Sequence, residues 1–558
     1  AEIRKPNGKP VPISIRENAK TMTEHSQMSA NIYNPNSRVL RLNIPGLEVG
    51  DVLHCVSHAR YGKTRVPGTF SSMMTFERLD PIIFSRNTII APQELPLKKI
   101  SVRNRVGNTL DFAQEKKADK IRYQWTAKNV PRAYPEPDMP PFYKVAQRVL
   151  ASTITDWQWI SKWYWDLCEP NLNKTSPEMR AKVRELTSGL DSAPQKITTL
   201  FNWVSQKIRY LGLTLEKNAP GYEPHPVDMT FRDRAGVCRD KAALLAAMLR
   251  LAGFEAYPVL IMNGPKRDPE VPMPFFNHAI TAVKKPDGSF LLMDSTDEST
   301  ARLFPAYLSN QSYLVATPEG EPLRTSPVIP AEENMLLIST NATLASDGSV
   351  RARTKFLFKG VNDNIYRGLF ARQKKRERKR FLESRIRKKI PSAIIKNCRI
   401  QPANMLDVSK PLTAELKYLL PDYTLKTEQS EILNLPRLAS SLGAVRFVLD
   451  STRLKERKYP LFSRLTCGVK ENISLSLPQD LQGKIHPPED QNASAPGIEW
   501  ANEYALDDQA IKFEKILKIK KPEFSPAEYK GLINVLAKME TAGNKNIIAE
   551  GKPQKNQE

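Results

Sequence analysis

Three residues in the middle of the chain, Cys238, His278 and Asp294, have the types and surroundings that acyl chemistry requires. A cysteine attacks a carbonyl as thiolate, so it needs a base to take its proton and a site that favours negative charge. Cys238 stands just before Ala242–Leu251, a run of strong helix formers that stops at Gly253. At or near the start of the predicted helix its thiol meets the positive end of the helix dipole, which favours thiolate. The run is apolar nearly all round from Ala242 to Leu249, which predicts a central, buried helix. His278 lies near the beginning of a predicted strand, Phe276–Val283, and a Pro286-Asp287-Gly288-Ser289 turn returns the chain through Phe290–Met293 to Asp294. In an antiparallel hairpin, with strands about 4.8 Å apart, Asp294 falls within a few residues of the point facing His278. If the helix end abuts this sheet, His278 takes the thiol proton, and Asp294 fixes the imidazole tautomer and steadies its positive charge. Each residue alone has an ordinary reading as a small buried thiol, a satisfied strand histidine or a turn aspartate. Their ordered combination is what points to catalysis.

The elements that must hold such a site change character along the chain. Residues 1–130 read as antiparallel strands bounded by turns, among them Arg38–Ile44, Val52–Val56, Ile82–Ile90 and Ile121–Trp125. His54, Cys55 and His58 have a tempting metal-ligand spacing. On a strand, however, residues four apart are separated by about 13 Å and Cys55 faces the other way, so they are read as sheet positions. Pro131–Pro141 has five prolines in eleven residues and predicts an extended linker at a domain boundary. Residues 142–318 turn helical: Trp157, Ile160, Trp163, Tyr164 and Leu167 recur at three and four, and Ile197, Leu200, Phe201, Val204 and Ile208 share one face of Ala193–Tyr210. The tryptophans are read as core. A Pro/Glu-rich connector, Ala316–Asn334, closes this region, and strands such as Ser349–Phe358 and Thr413–Leu419 return over residues 335–540. One stretch there, Asp363–Ile390, predicts a long basic helix with twelve Lys/Arg and three acids, about +9. From Thr541 to Glu558 the polar composition predicts a disordered tail.

Composition bounds the function classes. A chain of 558 residues needs several cores, and 40% hydrophobic with 26% charged residues excludes wholesale disorder. No apolar run approaches the roughly 20 residues of a membrane-spanning helix. An excess of 84 Lys+Arg over 60 Asp+Glu, +24 in all, raises nucleic acid or an anionic surface as partner. Much of that excess lies in the one basic stretch, outside the candidate site, with no recognised nucleic-acid fold behind it. An anionic surface or polymer is therefore the expected partner of the basic helix, and nucleic acid is not. Five scattered cysteines form no disulfide framework and no CxxC pair. With no P-loop, dinucleotide fingerprint, EF-hand or zinc signature, neither cofactor nor metal is implied.

The segments Gly221-Tyr222-Glu-Pro-His-Pro226, Gly236-Val-Cys238-Arg-Asp-Lys241, Phe276-Asn-His278-Ala-Ile280 and Leu292-Met-Asp294-Ser-Thr296 together resemble the bacterial transglutaminase-like superfamily. Closer still is the likeness to three-part proteins in which that core lies between two β-rich domains of unknown function. Leu40–Ile100 resembles the late part of the N-terminal domain of such proteins, and Asn341–Pro478, more loosely, the C-terminal one. The resemblance implies a multidomain α+β protein: a papain-like core over about residues 142–318 between two mainly antiparallel β domains. It carries the nucleophile onto Cys238, the base onto His278 and the orienting carboxylate onto Asp294. Val237 stands where many relatives have Asp, and Ser295 where they often have Pro. The opening Ala1–Gly8 resembles an internal strand and turn, which implies a truncated chain whose missing front would hold any signal peptide. By the same resemblance the protein is expected in the periplasm or otherwise outside the cytoplasm.

A Cys-His-Asp site forms a thioester from an amide or ester and passes the acyl group to water or an amine. The Cys238 N–H is one oxyanion donor at the helix start; the sequence places no second. With no acidic Ca²⁺ loop of the kind that controls animal crosslinking enzymes, the favoured reading is hydrolysis of a peptide or protein amide, a cysteine peptidase or amidase. Two alternatives stay open: a protein-crosslinking acyl transferase, and a catalytically silent cell-envelope binding protein.

Overall fold

The computed structural model describes residues 1–23, 38–60, 66–211, 221–427, 430–478, 481, 485–507 and 510–550. In the first part, Lys120–Val130 is the centre of a three-stranded antiparallel sheet between Ile82–Pro92 and Leu110–Lys117. Alternate residues of that strand, Ile121, Tyr123, Trp125 and Ala127, are buried, as a half-covered strand requires. They pack with Phe76, Val149 and Ala151.

Val149 and Ala151 belong to Arg148–Ser152, which lies beyond the proline-rich stretch and yet is the central strand between Ser71–Thr75 and Lys99–Arg103. The boundary expected at 131–141 is thus displaced, because the chain returns to the first domain before entering the second. The reason is that every residue of Arg148–Ser152 is buried, and buried backbone must find partners on both edges. Nor is the proline-rich stretch a free linker. The Glu136 carboxylate accepts from the Lys458 and Tyr459 amides, and Arg457 donates to the Pro137 carbonyl, so it ties the first domain to the third.

The middle domain packs helices Trp157–Leu172, Pro177–Thr187 and Ala193–Lys207 around helix Cys238–Leu251. Side-chain oxygens of Asp156, Ser176 and Ser192 cap the first three, the last in a reciprocal box with Gln195. Trp157 and Trp165 are in this core. A five-stranded antiparallel sheet lies against the central helix in the order Phe290–Met293, His278–Lys284, Ala256–Ile261, Ser312–Val315, Arg324–Thr325. The last of these comes from the stretch expected as a plain connector.

The third domain is built on an eight-stranded sheet, antiparallel except where Met335–Leu344 runs parallel to Cys467–Ser476. Its basic stretch differs from expectation. Two helices, Val361–Ala371 and Lys375–Lys389, replace one. Lys374 is extended and donates its backbone N–H to the Glu377 carboxylate at 2.7 Å, which starts the second helix. In one straight helix Tyr366 and Phe381 would stand about 22 Å apart. The break brings their rings to 6.1 Å, and Phe381 to 5.9 Å from Phe370, so the turn is held by aromatic packing over buried Leu382 and Ile386.

The expected disordered tail is also corrected over its first residues. Helix Pro526–Gly543 runs past Thr541, and Ile547–Glu550 pairs with Ser430–Leu433 while burying Ile547 and Ala549. Two apolar residues at strand spacing suffice to anchor it. Residues 551–558 lie outside the described ones. Among the described residues, no helix is long and apolar enough to cross a membrane.

Candidate functional site

Cys238 is the first residue of the central helix, after an extended Val237. Asp240, three residues past Val237, folds back on the turn. Its carboxylate accepts from the Val237 amide at 3.0 Å and from the His225 amide at 2.9 Å, with His225 Nδ1 at 3.1 Å. The approach is so close that a Cβ on Gly236 would lie 2.7 Å from the Asp240 Cβ and 3.2 Å from Thr230 Cγ2. Space, then, demands glycine at 236. Gly236→Ala is expected to destabilise the fold by about 1–3 kcal/mol and to displace Cys238, seen as a lower melting temperature together with slower alkylation of the thiol. An unchanged melting temperature would show that the turn relaxes freely.

Next to it, Lys241 is buried and donates from Nζ to the Ser205 and Ile208 carbonyls at 3.1 and 2.6 Å, at the C-terminal end of helix Ala193–Lys207. Burial pulls its pKa down to about 8. This clamp, with the parallel pairing of Arg209-Tyr210 to Ala235-Gly236, sets Tyr210 beside the nucleophile. The Tyr210 hydroxyl is near enough to the Cys238 sulfur to favour its ionised form, and burial holds the Tyr210 pKa above the usual phenol value.

On the sheet side, Thr281 Oγ1 donates to the Ala242 carbonyl at 2.9 Å and docks the His278 strand onto the first turn of the helix. The entry to that strand is fixed as well. Tyr222 donates to the Pro274 carbonyl and accepts from the Phe276 amide, while the side chain of Asn277 exchanges hydrogen bonds with the backbone of Asn263.

The register Thr281↔Met293 leaves Asp294 one residue beyond the last hairpin pair. From there its Oδ2 lies 2.9 Å from His278 Nε2 and accepts from Tyr307 Oη at 3.0 Å. Its Oδ1 accepts from Thr296 N and Oγ1 at 3.0 and 2.7 Å. Both oxygens of this fully buried carboxylate are therefore satisfied. With Nε2 taken by Asp294, Nδ1 is left for the thiol of Cys238, which is near enough for imidazole and thiol each to shift the other's pKa. The Ala279 amide also favours the ionised sulfur.

Electrostatics follow from this geometry. Burial pushes the Cys238 thiol up, but hydrogen bonds and charge from His278, with those of Ala279 and Tyr210, outweigh it and hold the thiol below its ordinary value. Burial lowers His278, yet the Asp294 charge prevails and raises it to about 10. Asp294, also opposed by burial, is held below the usual carboxylate range by His278 and Thr296. Both shifts favour the thiolate–imidazolium form of the pair over the neutral one.

All three residues singled out in the sequence thus meet in one place. Tyr210, Tyr307 and Thr296 were not assigned roles there. Tyr210 could have been noticed as the residue following the amphipathic helix that packs on the nucleophile's own; Tyr307 follows Pro305 in a 3₁₀ turn with no periodic signal.

A cavity of about 1000 Å³ extends from Tyr210, Thr296 and Tyr307 to Ile365, Leu369 and Arg372 of the third domain. That domain is fastened across it by Asn364 to Asp297 at 2.5 Å and Gln206 to the Leu406 carbonyl at 3.0 Å. Among the described residues, no group of three or more His, Cys, Asp or Glu could hold a metal ion.

Comparison with known proteins agrees with this organisation. Residues 180–295 match the Transglutaminase-like superfamily, residues 1–134 the domain of unknown function DUF3857 and residues 442–549 the domain of unknown function DUF3858. A crystal structure from Parabacteroides distasonis, described as that of "a putative protease", aligns over 98% of this chain and 88% of its own at a TM-score of 0.59 and 12% identity. At that identity the likeness concerns the fold. A structure from Cytophaga hutchinsonii, described as "a putative cysteine protease", covers 42% of this chain and 80% of its own at 15% identity and a TM-score of 0.19. No curated protein matches the sequence.

Proposed function

We propose that this chain, a transglutaminase-like domain set between two domains of unknown function, is a thiol hydrolase of peptide or protein amides. The observation that carries the reading is the buried Asp294–His278 pair, 2.9 Å apart, with the Cys238 thiol near enough to be held below its ordinary pKa by the imidazole. The thiolate adds to the amide carbonyl carbon. The Cys238 N–H and the Tyr210 hydroxyl receive the developing oxyanion, the tyrosine supplying the donor that the sequence left open. Imidazolium His278 then gives its Nδ1 proton to the departing nitrogen as the C–N bond breaks, leaving a thioester. Water, deprotonated by the now neutral His278, attacks the thioester; the C–S bond breaks and the thiolate–imidazolium pair is restored.

The test is incubation with a peptide library, with and without an amine acceptor, compared with Cys238→Ala by mass spectrometry. New acids or cleaved peptides absent from the variant support hydrolysis. Amine adducts in their place would make the enzyme a transferase, and products identical in both proteins would remove the activity altogether.

Tyr210→Phe is expected to lower kcat about 10²-fold with little change in KM, since its hydroxyl acts on the oxyanion rather than on the bound substrate. An effect confined to KM would argue for a binding role instead.

The exposed cations Lys207, Arg209 and Arg372 line the cavity, and Lys374, Lys375 and Arg376 follow directly in the chain. Of the carboxylates there, Asp297 is already engaged by Ser299 and Asn364, and Glu298 is exposed. This balance favours a substrate segment rich in acidic residues, rather than a separate anionic partner of the basic helix. For an acidic peptide KM is expected to rise with ionic strength, and for a neutral peptide to stay nearly constant. Equal salt dependence of the two would count against it.

A further inference from the structure

The third domain contains a second polar cavity, of about 240 Å³, bounded by the inner face of its large sheet and by helix Pro526–Gly543. Strand register sets Glu471 opposite Lys515, and Lys515 opposite Asn502, in one row across three adjacent strands. All three side chains line the cavity, within a face otherwise made of residues such as Trp500, Phe513 and Leu517.

Four buried polar atoms on its lining residues have no hydrogen-bond partner: Glu471 Oε2, Trp500 Nε1, Asn502 Oδ1 and Arg437 Nε. Orphaned polar groups are few in a native protein, and four of them on the lining residues of one cavity mark it as a candidate binding site.

The groups are also held in place. Arg437 donates to the Gly543 carbonyl at 3.1 Å and the Tyr504 hydroxyl at 2.7 Å and lies 4.8 Å over the Phe513 ring, which fixes the direction of its free Nε–H. Glu471 is held by the Leu438 amide, which donates to its Oε1.

The charges define a ligand. Arg437, Lys515, Lys389 and Lys545 line the cavity against a single carboxyl, Glu471; burial pushes Glu471 toward its neutral form and lowers Lys515 as well, so the excess of cations rests on Arg437, Lys389 and Lys545. An anion is therefore favoured. A phosphate would want a helix N-terminus or a nest of main-chain amides, whereas the helix end present here is the C-terminal one, at Gly543, whose partial negative charge suits a cation. The Asn502 Oδ1 likewise asks for a donor.

We propose that this cavity binds a small amino carboxylate of amino-acid size. Its carboxylate pairs with Arg437, Trp500 and Lys515, its ammonium lies toward Asn502 and the end of the helix, and its carbon chain rests on Leu433, Leu435 and Met539. The volume, below that of drug-sized pockets, sets the size.

Calorimetry and thermal shift on the full chain test this with L-leucine, L-glutamate, isocaproate, isoamylamine and inorganic phosphate as probes. At least one of the two amino acids is expected to bind and raise the melting temperature. Isocaproate, lacking the ammonium, and isoamylamine, lacking the carboxylate, are expected to bind at least tenfold more weakly. Trp500→Phe and Asn502→Leu, which remove a donor to the carboxylate and the acceptor for the ammonium, should each weaken the amino acid at least tenfold while leaving the ligand-free circular dichroism spectrum unchanged; having two variants guards against misfolding of either. Cys238→Ala should bind normally, which keeps this result separate from the enzyme reading. Absence of binding at millimolar probe, phosphate binding as tightly as the amino acids, or full affinity in both folded cavity variants would overturn the proposal.

Discussion

Cys238→Ala is expected to lower kcat by at least about 10⁴-fold, to whatever background the oxyanion donors and binding alone supply. The loss should be almost complete because no other thiol can substitute. Cys168, Cys398 and Cys467 are buried, and burial raises all three above the ordinary thiol value, Cys398 to about 11. Only Cys55 is exposed, and it lies in the first domain. A brief iodoacetamide pulse at neutral pH is therefore expected to label Cys238 first, Cys55 more slowly and the other three not at all. The double variant Cys238→Ala/His278→Ala should be no slower than Cys238→Ala, since a base without its nucleophile has nothing to activate. Labelling of Cys55 alone, or retention of turnover by the alanine variant, would sink the assignment of the nucleophile.

What the sequence made legible, and what it hid, divides by the range of the contacts. Cys238 could be found because the helix it opens is read from ten consecutive residues, and the His278–Asp294 pairing because a hairpin joins two residues sixteen apart through a marked turn. Both signals are local. Tyr210 reaches Cys238 only because Lys241 clamps the end of another helix, and Tyr307 reaches Asp294 through an irregular loop; neither contact has a period to betray it.

The same rule governs the fold. Strand alternation in Lys120–Val130 and the apolar helix faces were plain, while the return of Arg148–Ser152 to the first domain depends on partners some 50 to 80 residues earlier. Similarly, charge and periodicity over Asp363–Ile390 announced helix, but the break at Lys374 is imposed by Phe381 folding back on Tyr366. One consequence touches function directly. The third domain was expected to carry a basic helix away from the site, and instead the shorter helix before it forms a wall of the cavity beside Tyr210. The flanking domain and the candidate site therefore share the walls of one cavity.

Asp294→Asn should be nearly as damaging as loss of the nucleophile, about 10³–10⁴-fold in kcat/KM, although it changes one atom. Thr296 donates twice to Oδ1, so an asparagine would keep its carbonyl oxygen there and turn its NH₂ toward His278 and Tyr307. That amide donates where the carboxylate accepted. His278 would answer by accepting at Nε2 and carrying its proton on Nδ1, facing the thiol, and in that tautomer it cannot take the thiol proton. The lost negative charge acts in the same direction. Asp294 is what lifts His278 to about 10 against the pull of burial, so without it the imidazolium is no longer favoured and the thiol loses the charge that held it ionised. In the native protein the reactive pair exists above the lowered thiol pKa and below the raised imidazole one. Activity should therefore climb as pH rises through the first and fall as it passes about 10. In Asp294→Asn the two limbs should approach and cross, with alkylation of Cys238 beginning only at the pH of an ordinary or buried thiol. A melting temperature close to the native one would confirm that the comparison concerns chemistry and not folding. If the variant kept activity within tenfold, or kept the native pH profile for alkylation, the carboxylate would not be the group that orients and charges His278.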